Sequence, residues 1–291
     1  MRQMRKIVFF NLWHNGDLHI SRSLVRFIVD WAKTNNIQCE YVHNCYENVL
    51  IDIDVRKADS RYSLRQQTQT HVKDHILFFN TWYSGDPGIF NQWGVSFDCL
   101  YWSFSKVAKE FLNLELPTDY WALFPEIDYT KYHVKNASDF CTLHSAKRKI
   151  LISNGRVLSG QIENFNFNPT IDYLAQSYPD YFFLITNPDK NTPIHPNVIP
   201  TSSIIKSGGC DLNENAFLSR YCDFVIGRYS GAYTFSVNRY NYQRNLKYLV
   251  FCNLYQNPLW IKSLPIRPEA QVIVSNDTQT ERICGFLKDH L

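Results

Sequence analysis

The chain has no Cys-x-x-Cys pair, no Gly-x-Gly-x-x-Gly and no apolar run approaching the length of a membrane span. The first absence, together with the lack of any Cys–His spacing of the zinc-site kind, argues against a cysteine-based metal fold. The second disfavours a dinucleotide-dependent oxidoreductase, in which glycines at that spacing bring a strand-to-helix turn onto a pyrophosphate. The Gly pair at 208–209 precedes a polar helix start instead. The third leaves no transmembrane helix, and the apolar stretch after Arg2, Arg5 and Lys6 is too short for a signal peptide. Charge of one sign is scarce as well. Thirty Lys and Arg against 27 Asp and Glu give a net +3, too mild to indicate a nucleic-acid partner. The densest basic clusters, MRQMRK at the start and AKRK at 146–149, each stand just before a strand-like run, as solvated edges do. No internal repeat and no low-complexity tract is read.

What is present is enough apolar material for real cores: 45% hydrophobic and 15% aromatic over 291 residues, a length that suits two domains. Eight cysteines lie mostly inside apolar segments (FDCLYW, LVFCN, RICGFL) and read as small buried hydrophobes. Free thiols in that number fit a reducing compartment. A soluble, cytoplasmic protein is expected, with peripheral membrane contact left open.

The first half opens with KIVFFNLW, an unbroken apolar run of the kind a strand covered on both faces requires. ISRSLVRFIVDWAK follows with Ile20, Leu24, Phe27, Ile28 and Trp31 at helical spacing. A strand QCEYVHN, a polar stretch over about 52–75, a strand in HILFFNTWYSGDPG and a helix SFDCLYWSFSKVAKEFL complete it. Residues 113–145 carry no strong periodicity and include Pro117 and Pro125. The second half restarts at KRKILISNG and continues with a helix over 168–178, the strands YFFLITNPD and NVIPTSS, the helix NENAFLSRYC and the strand DFVIGRYSG. A helix from near Ala232, the strands KYLVFCN and QVIVSN and a last helix in TQTERICGFLKDHL follow. This alternation predicts an α/β protein of two Rossmann-like domains facing each other across a cleft. The expected division is 1–125, a linker or crossover at 126–145, and 146–291, with the last helix free to pack back on the first domain.

Polar residues collect where strands end, the edge at which open α/β sheets place their chemistry. In the first half, His14, Gly16, Asp17 and His19 stand where a strand gives way to a helix, and Asp17 is either a helix cap or a working carboxylate. In NTWYSGDPG, Trp82, Tyr83 and Asp86 stand at another strand end, where the aromatics could stack on a ligand ring beside a hydrogen-bonding carboxylate or simply cover the core. In the second half the loops SNGRVLSGQ, TNPDKNTP and GRYSGAYTFS would open on one edge. Ser230, Gly231 and Ala232 leave backbone N–H groups approachable at a helix start, a natural anion site, and Arg228 or Arg156 could grip phosphate. The bland alternative is a Ser/Gly turn that caps a helix.

In layout the chain resembles GT-B glycosyltransferases and is most similar to the heptosyltransferase-like family. The matching pieces are NGDLHIS at 15–21 and NENAFLSRYCDFVIGRYSGAYT at 213–234. The sequence departs from the family in having Tyr233, Thr234 and Phe235 where a His-containing helix start is usual, and no proline soon after Gly-Asp. The resemblance implies transfer of a sugar from a nucleotide-diphosphate donor to a carbohydrate or glycoconjugate hydroxyl, with inversion. It assigns Asp17 as the catalytic base, with His14 and His19 as weaker candidates. It places Asn187 among the donor contacts, beside Arg156, Arg228, Ser230, Gly231 and Ala232. It implies neither cofactor nor metal; the single Asp-x-Asp, Asp52 and Asp54, lies in VLIDIDVRK, outside any diphosphate setting. Two other readings stay open. A sugar-nucleotide epimerase of the same plan would convert a nucleotide sugar without an acceptor. A non-catalytic nucleotide- or carbohydrate-binding protein would bind without turnover.

Overall fold

The computed structural model describes residues 4–58, 62–65, 70–82, 97–158, 160–207, 209–244, 246–253 and 271–291. The described residues form two compact α/β units, one ending at Lys131 and the other beginning at Tyr132.

The first unit is built on β1 (Lys6–Asn11), which pairs in parallel with β2 (Gln38–His43) on one side and β5 (Ile76–Asn80) on the other. Parallel neighbours need a crossover, and α1 (Asn15–Thr34) supplies it between β1 and β2. Two short edge strands, β3 (Arg56–Lys57) and β4 (His71–Lys73), complete the order β3-β2-β1-β5-β4, with only β4 antiparallel. Strand alternation divides the apolar residues between two faces. Val8, Phe10, Val42 and Phe78 form a core with Ala58 on one side. On the other, Phe9 meets Tyr41 and Phe79 at ring distances of 5.9 and 5.7 Å, and Phe79 meets Phe104 of α2 (Phe97–Val107) at 4.7 Å. Phe9 and Phe10 are both fully buried, which explains the unbroken apolar run: a central strand covered on both faces has no solvent side.

One buried ion network ties this unit together. Asp52 Oδ2 accepts from Arg22 (3.3 Å) and Arg26 (2.5 Å), both on α1, and from the Asp128 backbone N–H (3.1 Å). Arg22 also donates to the Val49 carbonyl at 2.6 Å. The Glu126 N–H donates to Ser23 Oγ at 3.0 Å, so residues 126–128 run along α1.

The second unit is an all-parallel sheet of β6 (Arg148–Ser153), β7 (Tyr181–Ile185), β8 (Val198–Pro200), β9 (Phe224–Arg228), β10 (Lys247–Phe251) and β11 (Gln271–Ser275), in the order β11-β10-β9-β6-β7-β8. Its helices are α3 (Lys135–Leu143), α4 (Asn168–Ser177), α5 (Leu212–Ser219), α6 (Gly231–Ser236), α7 (Arg239–Gln243) and α8 (Thr280–Lys288). Ile150, Ile152, Phe183, Ile185, Ile226 and Phe251 form the main core with Ile171 and Leu174 of α4.

The boundary between the units, at Lys131 and Tyr132, falls inside the segment expected as a linker or crossover, 126–145. The first residues of that segment bond to α1, and from residue 135 it is the helix α3, whose Ala137 and Cys141 are buried. Ile283 and Leu287 on the apolar side of the last helix, α8, join the second unit's core. No described helix is long and apolar enough to cross a membrane, and all eight cysteines are free.

Asp52→Ala removes the counter-charge of Arg22, which is fully buried. Breaking a buried pair by truncating one partner is strongly destabilising. Urea unfolding of the variant is expected to show a loss of about 3 kcal/mol, with an unchanged denaturant slope.

Candidate functional site

Where β1 ends, Asn11 turns the chain: its Oδ1 accepts the Trp13 N–H at 3.1 Å, the local bond by which Asn stabilises a turn. His14 is the N-cap of α1, with extended backbone, and Asn15, Gly16 and Asp17 make the first turn. Asp17 Oδ2 accepts the His14 backbone N–H at 3.0 Å, so the capping role expected as one alternative is present. The same carboxylate has the marks of a proton acceptor. Burial raises its pKa from 3.8 to about 6, against the opposing pull of the His14 N–H and charge. A cap and a carboxylate of raised proton affinity therefore coincide in one side chain.

The two histidines are placed differently. His14 is exposed and stacks on Trp13 at 6.4 Å, beside Asp17. His19 is fully buried within α1, away from solvent. Trp82 stands half-buried just past β5, its N–H accepted by Asn80 Oδ1 at 3.1 Å. Tyr83 and Asp86 lie outside the described residues.

The second unit brings three strand-end loops into contact. The Asn154 amide joins the loops after β6 and β7: Nδ2 donates to the Asn187 carbonyl at 2.7 Å, and Oδ1 accepts the Asn187 N–H at 2.9 Å. Gly155 sits so close to the neighbouring loops that a Cβ there would stand 2.9 Å from Asn187 Oδ1 and 3.4 Å from Ala232 Cβ. Gly227, in β9, likewise approaches β6; an added Cβ would be 2.7 Å from the Ser153 carbonyl oxygen. Ser230 caps α6, its Oγ accepting from the Tyr233 N–H at 3.4 Å, and Gly231 and Ala232 form the half-buried first turn. Thus Asn187, Ala232 and, through Gly155, Arg156 share one edge. Arg156 is exposed and forms no ion pair among the described residues.

Arg228 is not arranged to grip phosphate. It is buried, donates to the Asn154 carbonyl, to Gly155 O at 3.2 Å and to the Phe165 carbonyl, and lies over the Phe165 and Phe167 rings at 4.9 and 4.8 Å. Burial lowers its pKa. The guanidinium supplies hydrogen bonds to carbonyls that no strand satisfies and makes cation–π contact with both rings. It is an internal brace for the loop after β6.

Three features escaped the sequence reading. Asn11 and His43, at the ends of β1 and β2, are buried polar groups at the same edge as Asp17. The strand ends FFNLW (9–13) and FFNTW (78–82) are near copies that fold into the same Asn-to-Trp turn. That local repeat was the signal available. Among the described residues no three His, Cys, Asp or Glu side chains converge on a common metal position.

No family model and no curated protein sequence matches the chain. Solved structures do. The glycosyl transferase family 9 protein of Veillonella parvula DSM 2008 aligns over 98% of this chain and 90% of its own, at 12% identity and a TM-score of 0.51. E. coli heptosyltransferase WaaC, solved with ADP-2-deoxy-2-fluoro heptose, aligns over 98% and 100%, at 11% identity and 0.51. A Listeria monocytogenes protein described provisionally as a UDP-N-acetylglucosamine 2-epimerase aligns over 98% and 87%, at 11% identity and 0.52. At such identities the likeness establishes the fold, two Rossmann-like units of the GT-B kind, and nothing narrower.

The raised pKa of Asp17 has a measurable cost. Between pH 4 and 6 the native state holds a proton that the unfolded chain has already lost, so stability falls as pH rises through that window. Asp17→Asn keeps an oxygen for the His14 N–H and removes the titration. The variant is expected to be more stable than the parent by about 1–2 kcal/mol at pH 7, with the pH 4–6 slope flattened in thermal melts.

Proposed function

We propose that the protein is a glycosyltransferase that moves a sugar from a nucleotide-diphosphate donor to a carbohydrate or glycoconjugate hydroxyl, without a cofactor or metal. The observation that carries this reading is Asp17, a carboxylate of raised proton affinity in the first turn after β1, at the carboxyl edge of a parallel sheet. Its likeness in fold to glycosyltransferases and heptosyltransferases supports the same reading.

In the proposed reaction, Asp17 takes the proton of the acceptor hydroxyl as its oxygen attacks the anomeric carbon. The bond from that carbon to the donor's diphosphate breaks on the opposite side, and the diphosphate oxygen leaves with the electron pair. The sugar is thereby inverted. Donor contacts come from the loops after β6, β7 and β9: Arg156 as the exposed cation, Asn187, and the Ser230–Ala232 turn. Arg228 serves this set by holding the loop after β6 in place. Trp82, with Tyr83 and Asp86 beyond it, is assigned to the acceptor, and His14 is the second-ranked base. Eight free thiols suit a reducing compartment and support a cytoplasmic activity.

The rival reading is an epimerase, which the likeness to the Listeria monocytogenes structure favours. It would convert a nucleotide sugar with no acceptor present.

Thermal shifts with UDP, GDP, CMP, ADP and dTDP, alone and as their sugars, test the donor half, since a ligand of the folded state raises Tm. ADP-heptose heads the sugar panel. One nucleotide diphosphate is expected to raise Tm by several degrees, and Asp17→Asn to keep that shift while losing turnover by about 100-fold or more. The parent's kcat/KM is expected to rise with pH to a plateau above about 6, as the base loses its proton. No shift with any nucleotide would overturn the reading; conversion of the nucleotide sugar without an acceptor would replace it with the epimerase.

A further inference from the structure

Beneath the turn that carries Asp17 lies a row of buried hydroxyls. Ser21 comes from α1, Tyr41 from β2, and Thr81 is the residue after β5. All three are shut away from water, Tyr41 to within 1% exposure. Tyr41 and Phe79 are both partners of Phe9 in the strand register, so they point to one face of the sheet. Thr81 extends the β5 side of that face, its N–H donated to the Phe10 carbonyl at 3.0 Å. The phenol of Tyr41 and Thr81 Oγ1 meet at 2.5 Å. Three strand and helix ends are thus joined through hydroxyls alone, in a place where an apolar residue would pack as well.

Each hydroxyl has one proton to give and two lone pairs to receive with, which fixes the direction of the row. Ser21 Oγ donates to the carbonyls of Asp17 and Leu18, at 3.2 and 3.3 Å, one turn back along α1. Its proton is spent there, so the phenol, which also hydrogen-bonds Ser21, is the donor to it. The phenol oxygen then accepts from Thr81. Burial above all holds the phenol's pKa far above the ordinary 10.0, and the Asp17 charge adds to this, so Tyr41 keeps the proton it donates. The row runs from Thr81 through Tyr41 and Ser21 to the Asp17 carbonyl, each dipole with its positive end toward the first turn of α1. Linked hydrogen bonds polarise one another, and a positive dipole end facing a carboxylate favours its ionised form. The titratable groups acting on this turn are His14, within it, and Tyr41, from β2. His43, beside Tyr41, is neutral near pH 6, since burial holds its pKa down to about 4.

We propose that Tyr41 is a positioning residue for Asp17: its hydroxyl, held between Thr81 and Ser21, ties the first turn of α1 to the end of β5 and aims a positive dipole end at the carboxylate. This rests on the reading of Asp17 as the base and adds what holds that base in place. Because Thr81 directly precedes Trp82, the same row joins the base to the start of the loop assigned to the acceptor.

The test titrates Asp17 directly, by NMR of its side-chain carboxyl carbon in the full chain labelled with 13C-aspartate. The signal is assigned by its loss in Asp17→Asn, and the nucleotide thermal shift is measured alongside. The parent is expected to titrate with a midpoint of about 6. Tyr41→Phe keeps the ring against Phe9 and His43, at 5.9 and 5.5 Å, and removes only the hydroxyl. It is expected to raise the midpoint by about half a pH unit or more and to leave the nucleotide shift intact. Thr81→Val removes the outer donor at similar volume and is expected to raise the midpoint less. Thr81→Ser keeps a hydroxyl there and is expected to restore the parent's value. A part confined to packing would lower Tm in these variants and leave the midpoint where it was, so an unmoved or lowered midpoint in Tyr41→Phe overturns the proposal. Should Tyr41→Phe fail to fold, the contrast between Thr81→Val and Thr81→Ser decides in the same way. An unmoved midpoint with a nucleotide shift present overturns the role of Tyr41 and leaves the transferase reading standing. A raised midpoint with no nucleotide shift upholds the hold of Tyr41 on the carboxylate and removes the transferase reading.

Discussion

Parallel pairing is the constraint from which the rest follows. A strand whose two neighbours run its own way cannot be reached by a tight turn, so the chain must cross over after each strand and start the next at the far edge. β1 between β2 and β5, and β9 between β6 and β10, are both in this position. The carboxyl ends of the strands then fall on one edge of each sheet, and residues far apart in sequence become neighbours. Asn154, Asn187 and Ala232 meet in this way, as do Asn11 and His43. The geometry that gathers them is indifferent to what they are, which is why a fold of this kind hosts many chemistries.

Asp17 shows how local and global demands are reconciled in one residue. The start of α1 needs a capping acceptor, and a carboxylate there is stabilised by the N–H groups around it. Burial pushes the other way and wins, leaving the group close to neutral pH in its affinity for a proton. A fully solvated cap would be a poor base, and a base with no N–H contact would not be held in place. The buried Arg22–Asp52–Arg26 network, farther along the same helix, fixes α1 against the loop at 49–52 and so fixes the turn that carries Asp17.

Much of this was legible in the sequence where a period or a strong local signal exists. The apolar runs of β1, β5, β7 and β10 and the 3.6-residue spacing in α1 are such signals, and the Gly-Asp pair marks a helix start. What was not legible depends on distance in the chain. α3 is nine residues with few apolar positions, so its period is too short to read. β3 and β4, two and three residues long, exist only because a neighbour supplies hydrogen bonds. Arg228 reads in sequence as a cation beside a small-residue loop. Its direction is set by carbonyls at 154, 155 and 165 that the sequence cannot place there. His43 looks like the last residue of an ordinary strand until β1 is laid beside it.

Arg228 also bears on how the loop after β6 moves. A loop that ends a strand ordinarily frays by itself, one residue at a time, at little energetic expense. Here three carbonyls of the loop after β6 share a single guanidinium that is rooted in the last residue of β9 and enclosed by two phenyl rings. Partial release would strand a desolvated cation, so the bonds are given up together or kept together. The loop is thereby coupled to the sheet: three of its carbonyls are tied to β9 through one side chain, and a ligand arriving at that edge meets a braced surface.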